Sequence, residues 1–342
     1  MKAFSCRVCG NPLYFENSVC VSCGVSLGFS RQEREIVPVD VAGQYVDAAG
    51  LVWWVCRNLT LSGCTWLARV EGGQCESCAL TRTRPNDADL EGLSLYADTE
   101  RAKRHLIVEL DARGFSFVSR DDDPETGLCF DLLSSRDENV TIGHADGVIT
   151  INLAEGNDVY REKMRINLGE PYRTMLGHLR HEVGHYMEAL HVQGPALDEA
   201  RTLFGDDTKD YQREIDRHYE EGPPDAWETS YISSYATMHP YEDFAETFAH
   251  YLHISDTLET AWVHRLLSAD TDLQAPFRQL VTQVWIPLSI GLNQINKSMG
   301  KDDLYPFVIP AAVMDKLDFV ATLAQPAHPS RTSLTDQPDG PA

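Results

Sequence analysis

Hydrophobic residues recur at intervals of three or four between positions 171 and 192, and this spacing predicts an amphipathic helix with one face on a core. Its apolar positions are Leu176, Leu179, Val183, Tyr186 and Leu190. Pro171 suits the first turn of such a helix, and Gly194 suits a stop shortly after it. The segment H-E-V-G-H at 181–185 lies inside this helix, and the functional interpretation depends on it.

A second helix is predicted to begin at Pro240, because Phe244, Phe248 and Leu252 follow at intervals of four. Alternation at 148–153, directly after the G-H-A-D-G turn at 143–147, predicts a β-strand. Further helices are predicted at 90–110, 196–222, 277–292 and 311–323. The mixed, acidic segment 115–130 is expected to be a solvated loop. Together these elements predict an α+β fold, mostly helical with a small sheet.

Eight of the nine cysteines fall in the first 78 residues, at spacings typical of zinc ligands. The first set, two C-x2-C pairs each followed by a glycine, predicts a zinc ribbon and consists of Cys6, Cys9, Cys20 and Cys23. The second set ends in a C-x2-C pair but begins with a wider gap, and consists of Cys56, Cys64, Cys75 and Cys78. We expect a second four-cysteine site there. In two alternatives, the pairs interleave between the sites or the second site is only partly occupied.

Residues 1–85 are therefore predicted to form a tandem zinc-ribbon region, residues 86–323 the main domain, and residues 324–342 a disordered tail. The segment R-T-R-P-N-D at 82–87 is interpreted as a linker. Trp53, Trp54 and Trp66 either complete a thin core, which is our preferred interpretation, or form an exposed recognition surface. Cys129 is expected to be an ordinary buried thiol.

The net charge of −23 lies almost wholly outside the ribbon region, because the first 85 residues carry eight basic and seven acidic side chains. Such a surface repels phosphate backbones, so we expect no general nucleic-acid binding by the main domain. No apolar run reaches the length of a membrane helix, and no apolar signal region follows Met1. These features, with zinc-type cysteines, lead us to expect a cytoplasmic protein without a membrane partner.

The H-E-x-x-H segment has the chemistry of a zinc hydrolase. His181 and His185 lie one helical turn apart on one face, so both imidazoles can reach one metal ion. Glu182 lies beside that metal, where it can act as the general base. The bland alternative is a solvated helix with two incidental histidines.

A catalytic zinc usually has three protein ligands, so one more is expected from the second helix. Glu242 is our choice, because it lies in the first turn of that helix. Glu246 is then expected to accept a hydrogen bond from a ligating imidazole. The competing third ligands are Asp243, His239 and His253.

Several motifs resemble a family of uncharacterised bacterial zinc-binding metallopeptidases with N-terminal zinc ribbons. They are H-E-V-G-H-Y, S-x-Y-x-x-x-H-P-x-E-D-F-A-E-T-F-A-H-Y-L-H, the strand G-H-A-D-G-V-I-T-I-N, L-G-E-P-Y-R-T-M-L-G-H-L-R and N-x-x-N-K-S-M-G. The second-helix pattern is also similar to lethal-factor-type gluzincins, where a tyrosine precedes the glutamate ligand by seven residues. That resemblance implies a catalytic role for Tyr235, although the interval between His185 and Glu242 is longer here. It also implies a zincin-like domain in residues 86–323 with zinc on His181, His185 and Glu242.

The sequence thus predicts a zinc-dependent peptidase of the gluzincin type, with one catalytic and two structural zinc ions and a protein or peptide substrate. The ribbons are expected to serve structure or to recruit a protein partner. The strand at 148–153 is either a sheet edge that takes an extended peptide or an interior strand. Two rival functions are a non-catalytic ribbon scaffold, which would need no Glu182, and a DNA-associated repair protease, which would shift a DNA probe at low salt.

Overall fold

The structure is a computed structural model, and it describes residues 3–135, 140, 142–157 and 174–324. The predicted helix start at Pro171 and the predicted disordered segment 325–342 lie outside the described residues. Within the described part the α+β class is confirmed, with several small sheets at the N-terminal end followed by mainly helical structure.

The ribbon region consists of short strands and single helical turns. Its strands are β1 (Phe4–Ser5), β2 (Pro12–Leu13), β3 (Leu27–Ser30), β4 (Glu35–Pro38), β5 (Gln44–Val46), β6 (Val52–Val55) and β7 (Leu67–Ala68), and its helices are α1 (Leu59–Ser62) and α2 (Glu76–Ala79). β1 pairs with β2, β3 with β4, and β5, β6 and β7 form an antiparallel sheet. Trp66 is buried as the core interpretation requires, whereas Trp53 is half-buried with the Arg69 guanidinium 4.4 Å from its ring centroid.

A four-stranded sheet follows the ribbon region, in the order β10, β11, β9, β8. The strands are β8 (Thr81–Thr83), β9 (Cys129–Leu133), β10 (Gly143–Ala145) and β11 (Val148–Asn152). β11 runs parallel to β9 and antiparallel to β10, so it is an interior strand and its interpretation as a sheet edge is wrong. The physical reason is burial of Ile149 and Ile151, which are fully covered. The predicted linker at 82–87 also begins too early, because β8 pairs with β9.

The helical part contains α3 (Leu90–Arg113), α4 (Met175–His191), α5 (Pro195–Phe204), α6 (Tyr211–Glu221), α7 (Pro240–Val263), α8 (Phe277–Leu280), α9 (Ile286–Ser298) and α10 (Ala311–Leu323). The predicted helices at 90–110, 240 onward and 311–323 are confirmed with small shifts of their ends. The predicted helix 196–222 is two helices, because α5 ends at Gly205 and the side chain of Asp210 caps a new helix. A π-helical turn, Val281–Trp285, joins α8 to α9.

Helices α4 and α7 pack closely through small residues. An ideal Cβ on Gly184 would lie 3.0 Å from Cα of Ala245 and 3.3 Å from Cβ of Phe248, so a side chain larger than hydrogen would push the helices apart. Thr174 caps α4 by accepting a hydrogen bond from Gly177 N at 3.0 Å. This close approach brings the first turn of α7 against the face of α4 that carries the histidines.

The ribbon region and the helical region share one hydrophobic core, to which Phe29, Trp66 and Leu106 all belong. An ion pair joins them, because Arg31 donates to both carboxylate oxygens of Asp111 on α3, at 2.7 and 2.8 Å. Among the described residues, none of the helices combines the length and the hydropathy that a bilayer crossing requires.

Candidate metal centre

Three side chains from two helices converge at the start of α7. The candidate ligand atoms of His181, His185 and Glu242 all lie within 4.8 Å of one another. Oε2 of Glu242 lies 3.0 Å from Nε2 of His181 and 3.5 Å from Nε2 of His185. All three residues are buried. Helix α4 supplies the two imidazoles from consecutive turns, and Pro240 starts α7 so that its first turn presents the carboxylate.

These distances suit zinc. Zinc lies about 2.0–2.2 Å from imidazole nitrogen and carboxylate oxygen, so a tetrahedral site separates two such ligands by about 3.3 Å. The two observed separations, 3.0 and 3.5 Å, lie on either side of that value. Burial alone would raise the pKa of Glu242, but the hydrogen bonds and charges of the two histidines hold that pKa well below its usual value. The ionised form of a carboxylate is the form that can bind a metal ion.

The other nitrogen of His181 is held by a second carboxylate. Nδ1 of His181 lies 2.8 Å from Oε1 of Glu246, which is one turn after Glu242 on α7. Ser233 donates its hydroxyl to the remaining oxygen of Glu246 at 2.7 Å. The ring of His181 is thus fixed with Nε2 directed toward Glu242.

Two tyrosines that sequence reasoning missed also contact the candidate ligands. Tyr211, at the start of α6, donates its hydroxyl to Oε1 of Glu242 at 2.5 Å. Tyr241 stacks on the ring of His185, with 3.8 Å between centroids, and its hydroxyl lies 3.1 Å from Nδ1 of His144 on β10. No local pattern in the sequence signals either contact, because the partners come from separate elements.

The carboxylate of Glu182 has two different environments. Oε1 lies 3.1 Å from Nε2 of His178, while Oε2 is buried with no hydrogen-bond partner among the described residues. Nδ1 of His178 lies 2.8 Å from Oε2 of Glu155. Burial lowers the pKa of His178, but its two carboxylate partners outweigh that effect and raise it to about 9. Burial likewise raises the pKa of Glu182, but the hydrogen bond from His178 and the charges of His178, His181 and His185 together outweigh it, so that the pKa is lowered.

Tyr235 lies beside the histidine pair, in the 3-10 turn Tyr235–Thr237. Its ring centroid is 5.6 Å from that of His181, with the planes at 69°. Tyr235 lines a cavity of about 260 Å³ together with His178, His181 and Glu182. Tyr235 thus shares one cavity with His181 and Glu182 of the H-E-x-x-H segment.

The competing third ligands lie elsewhere. Asp243 is paired with Lys316 of α10, at 2.6 Å between Nζ and Oδ2. His239 caps α7, since its Nδ1 accepts a hydrogen bond from Tyr241 N at 3.1 Å. His253 packs with its ring against Trp285. None of the three competing ligands belongs to the histidine–glutamate group.

The ribbon cysteines form two separate groups. Cys6, Cys9, Cys20 and Cys23 converge in one, and Cys56, Cys64, Cys75 and Cys78 in the other, so the interleaved alternative is wrong. Sulfur–sulfur distances of 3.7 Å between Cys6 and Cys23 and 3.6 Å between Cys9 and Cys20 are close to the separation of about 3.8 Å expected for thiolates around tetrahedral zinc. In the second group the sulfurs of Cys64 and Cys75 lie 3.5 Å apart, so both groups suit zinc in composition and in sulfur–sulfur distance.

A further group of potential ligands, His105, Glu109 and Asp256, has a different explanation. The guanidinium of Arg180 donates to Glu109 from Nε at 3.0 Å and lies 3.8 Å from Asp256. Its positive charge occupies the position between the carboxylates and repels a cation. This group is a buried ion-pair network that fixes α4 against α3 and α7.

Comparison with known proteins gives a family for each of the two parts of the chain. Residues 92–323 match the family described as "Putative zinc-binding metallo-peptidase", and residues 3–89 match a zinc-ribbon domain. The chain belongs to this metallopeptidase family. An uncharacterized protein of Mycobacterium bovis and one from each of two Mycobacterium tuberculosis strains, CDC 1551 and H37Rv, are 47% identical to it over 349 residues, covering 97% of this chain and 100% of each relative. No solved structure matches the chain.

Membership of the zinc-binding metallopeptidase family, with an N-terminal zinc ribbon, confirms the family resemblance that the motifs indicated. The metallopeptidase match covers α3 to α10 and so includes the histidine–glutamate group, while the ribbon match includes both cysteine groups. Zinc is accordingly the metal that the family and the cysteine geometry support.

Proposed function

We propose that the chain is a zinc-dependent peptidase of the gluzincin type that hydrolyses peptide bonds of a protein or peptide substrate. His181, His185 and Glu242 would hold the zinc, and Glu182 is the general base. One observation carries the proposal: Glu182, whose Oε2 is buried without a partner among the described residues, lines the same cavity as His181 of the convergent donor group. An ionised oxygen kept without a partner next to three potential ligands is poorly explained by packing, because burial without a hydrogen bond is costly.

When bound to this group, zinc lowers the pKa of water and polarises the scissile carbonyl. Glu182 takes the proton of the attacking water on Oε2 and later gives it to the leaving amine. Tyr235 donates its hydroxyl to the oxygen on which negative charge develops, a contact that accelerates the reaction because it is stronger in the transition state. Glu246 and Ser233 hold the ring of His181 in place.

The substrate is expected to bind along β10. In the described sheet β10 is an edge strand, and it contacts helix α4. His144 on β10 contacts Tyr241, which stacks on His185, so the edge is connected to the candidate ligands. An extended peptide can add to such an edge by backbone hydrogen bonds. The substrate edge is thus one strand further out than the sequence interpretation placed it.

The ribbons are proposed to hold two structural zinc ions and to brace α3, because Arg31 pairs with Asp111 across their contact. Recruitment of a protein partner by their exposed side remains our second proposal for them. Thiolate zinc sites are compatible with a reducing compartment, and the cytoplasm is the location that we propose.

The proposed function is tested by incubating the zinc-loaded chain with a mixed peptide library and analysing the products by mass spectrometry. We expect new peptide ends that disappear when the catalytic zinc is chelated and return when zinc is added. Retained zinc without any cleavage would contradict a peptidase and favour the scaffold. Cleavage that requires added DNA, with a shifted DNA probe at low salt, would favour the DNA-associated protease.

A further inference from the structure

Three side chains, Glu155, His178 and Glu182, form a buried hydrogen-bonded series. The hydrolysis described above uses Glu182 but neither of the other two. Nδ1 of His178 lies 2.8 Å from Oε2 of Glu155, and Nε2 of the same ring lies 3.1 Å from Oε1 of Glu182. The side chains of Glu155, His178 and Glu182 are 2%, 12% and 7% exposed, so water has little access to these contacts. A carboxylate–imidazole–carboxylate series is therefore built into the wall of the site.

The two oxygens of Glu182 are made different by this series. His178 and Glu182 lie four residues apart on α4, so the imidazole faces the carboxylate across one helical turn. The last torsion of a glutamate side chain is broad and nearly two-fold, so an unrestrained carboxylate samples many orientations. A hydrogen bond on Oε1 removes that freedom and leaves Oε2, the oxygen without a described partner, on the other side.

Glu155 fixes the imidazole from the opposite direction. It belongs to the 3-10 turn Leu153–Gly156 directly after β11, and the side chain of Asn152 holds the start of that turn by accepting from Ala154 N at 3.0 Å. The turn that follows the interior strand thus positions the carboxylate that binds His178. Because the pKa of His178 is raised to about 9 by its two carboxylate partners, both ring nitrogens carry protons near neutral pH and both can donate.

A purely structural ion pair does not account for the whole arrangement. Such a pair gains most when every buried oxygen is hydrogen-bonded, yet Oε2 of Glu182 has no partner among the described residues, and Glu182 lines the same cavity as His181. Local violations of this kind are expected where function requires them.

We propose that His178, held by Glu155, is a positioning residue that fixes the carboxylate of Glu182 with Oε1 as hydrogen-bond acceptor and Oε2 toward the attacking water. The inference rests on the proposed function, since it requires Glu182 to act as the base. His178 is assigned no role on the reacting atoms themselves, because it acts through Glu182.

The test compares the rates at which variants of the full zinc-loaded chain cleave a quenched fluorescent peptide. The sequence of this peptide is one that the wild type cleaves in the library. His178→Leu removes both hydrogen bonds, His178→Gln keeps a side-chain donor, and Glu155→Gln removes the anchoring charge. His191→Leu is the matched control, a histidine on the same helix whose ring packs against Phe115. We expect kcat of His178→Leu to fall roughly 10–100-fold with KM and zinc content unchanged, because small misplacements of catalytic groups have effects of that size.

His178→Gln should recover part of the lost kcat, Glu155→Gln should lower kcat less than His178→Leu, and His191→Leu should match the wild type. Full kcat in His178→Leu would overturn the inference alone, as would a loss that accompanies loss of zinc and that His178→Gln does not restore. A wild-type chain that cleaves no peptide would instead overturn the proposed function, and this inference would be rejected with it.

Discussion

Nδ1 of His181 lies 2.8 Å from Oε1 of Glu246, and this contact leaves Nε2 of the same ring for Glu242, 3.0 Å away. The two glutamates lie one helical turn apart on α7 and meet opposite edges of one imidazole. Their positions imply different roles, because only Glu242 also approaches His185.

Replacing each glutamate in turn should show which one binds the zinc and which one holds the ligating imidazole in place. Glu242→Ala should lose the zinc of the histidine–glutamate group, because two imidazoles alone do not hold it firmly. Glu246→Ala should keep that zinc but bind it roughly 10–100-fold more weakly, as loss of a partner of a ligating imidazole does. Competition with a chromophoric chelator measures both affinities. Weaker binding in Glu246→Ala than in Glu242→Ala would move the ligand to Glu246.

Elemental analysis should approach three zinc ions per chain, one for each cysteine group and one for the histidine–glutamate group. The double variant His181→Ala/His185→Ala should contain one fewer. Mild chelation should empty the histidine–glutamate site first, because thiolate ligands bind zinc more tightly. A starting content of one zinc would contradict the assignment of both cysteine groups.

The positions of helices and potential ligands were largely readable from the sequence, because each motif is local. His181 and His185 are one turn apart, and Glu242 follows the proline that starts α7, so the sequence alone predicted the two helices on which these three residues lie. The contacts of Tyr211 with Glu242 and of Glu155 with His178 were not readable. They depend on how separate elements pack, and no short-range spacing encodes that packing.

The order of strands in the sheet could not be read from the sequence either. Alternation identified β11, but it carries no information on which strands flank it. Its interior position follows from its pairing with β9 on one side and with β10 on the other, and β10 is a strand that sequence patterns assigned to a turn. The helix break between α5 and α6 was missed because both halves are polar and the cap at Asp210 resembles any loop aspartate.

Loss of the Tyr235 hydroxyl and loss of the Tyr211 hydroxyl should have different effects. Tyr235→Phe removes a hydroxyl proposed to act only in the transition state, so kcat should fall by roughly 10²–10³ with zinc affinity and Tm unchanged. Tyr211→Phe removes a hydrogen bond to Glu242, so zinc affinity should fall by about tenfold or more, and excess zinc should restore most of kcat. Full kcat in Tyr235→Phe would assign that residue to packing.

The buried pair between Lys316 and Asp243 should contribute to stability without holding the metal. Their side chains are 5% and 0% exposed, and Nζ also donates to the carbonyl of Ser230 at 2.8 Å. Lys316→Ala leaves a buried carboxylate unpaired and should lower the free energy of unfolding by about 3–5 kcal/mol. Asp243→Asn/Lys316→Met should recover much of that loss in urea unfolding, and its zinc content should equal that of the wild type. Loss of zinc in the double variant would return Asp243 to the list of ligands.

The central claim is that Glu182 is the base of a zinc peptidase, and hydrolysis by Glu182→Gln tests it most directly. The substitution keeps the size of the side chain and leaves the zinc ligands intact, but an amide cannot accept the proton of the attacking water. The measurement is the cleavage rate of the selected peptide by wild type and variant, each with equal zinc content and equal Tm. We predict a fall of at least about 10³-fold in the variant, within the range that general-base catalysis contributes. A variant rate within about tenfold of the wild type would contradict the account.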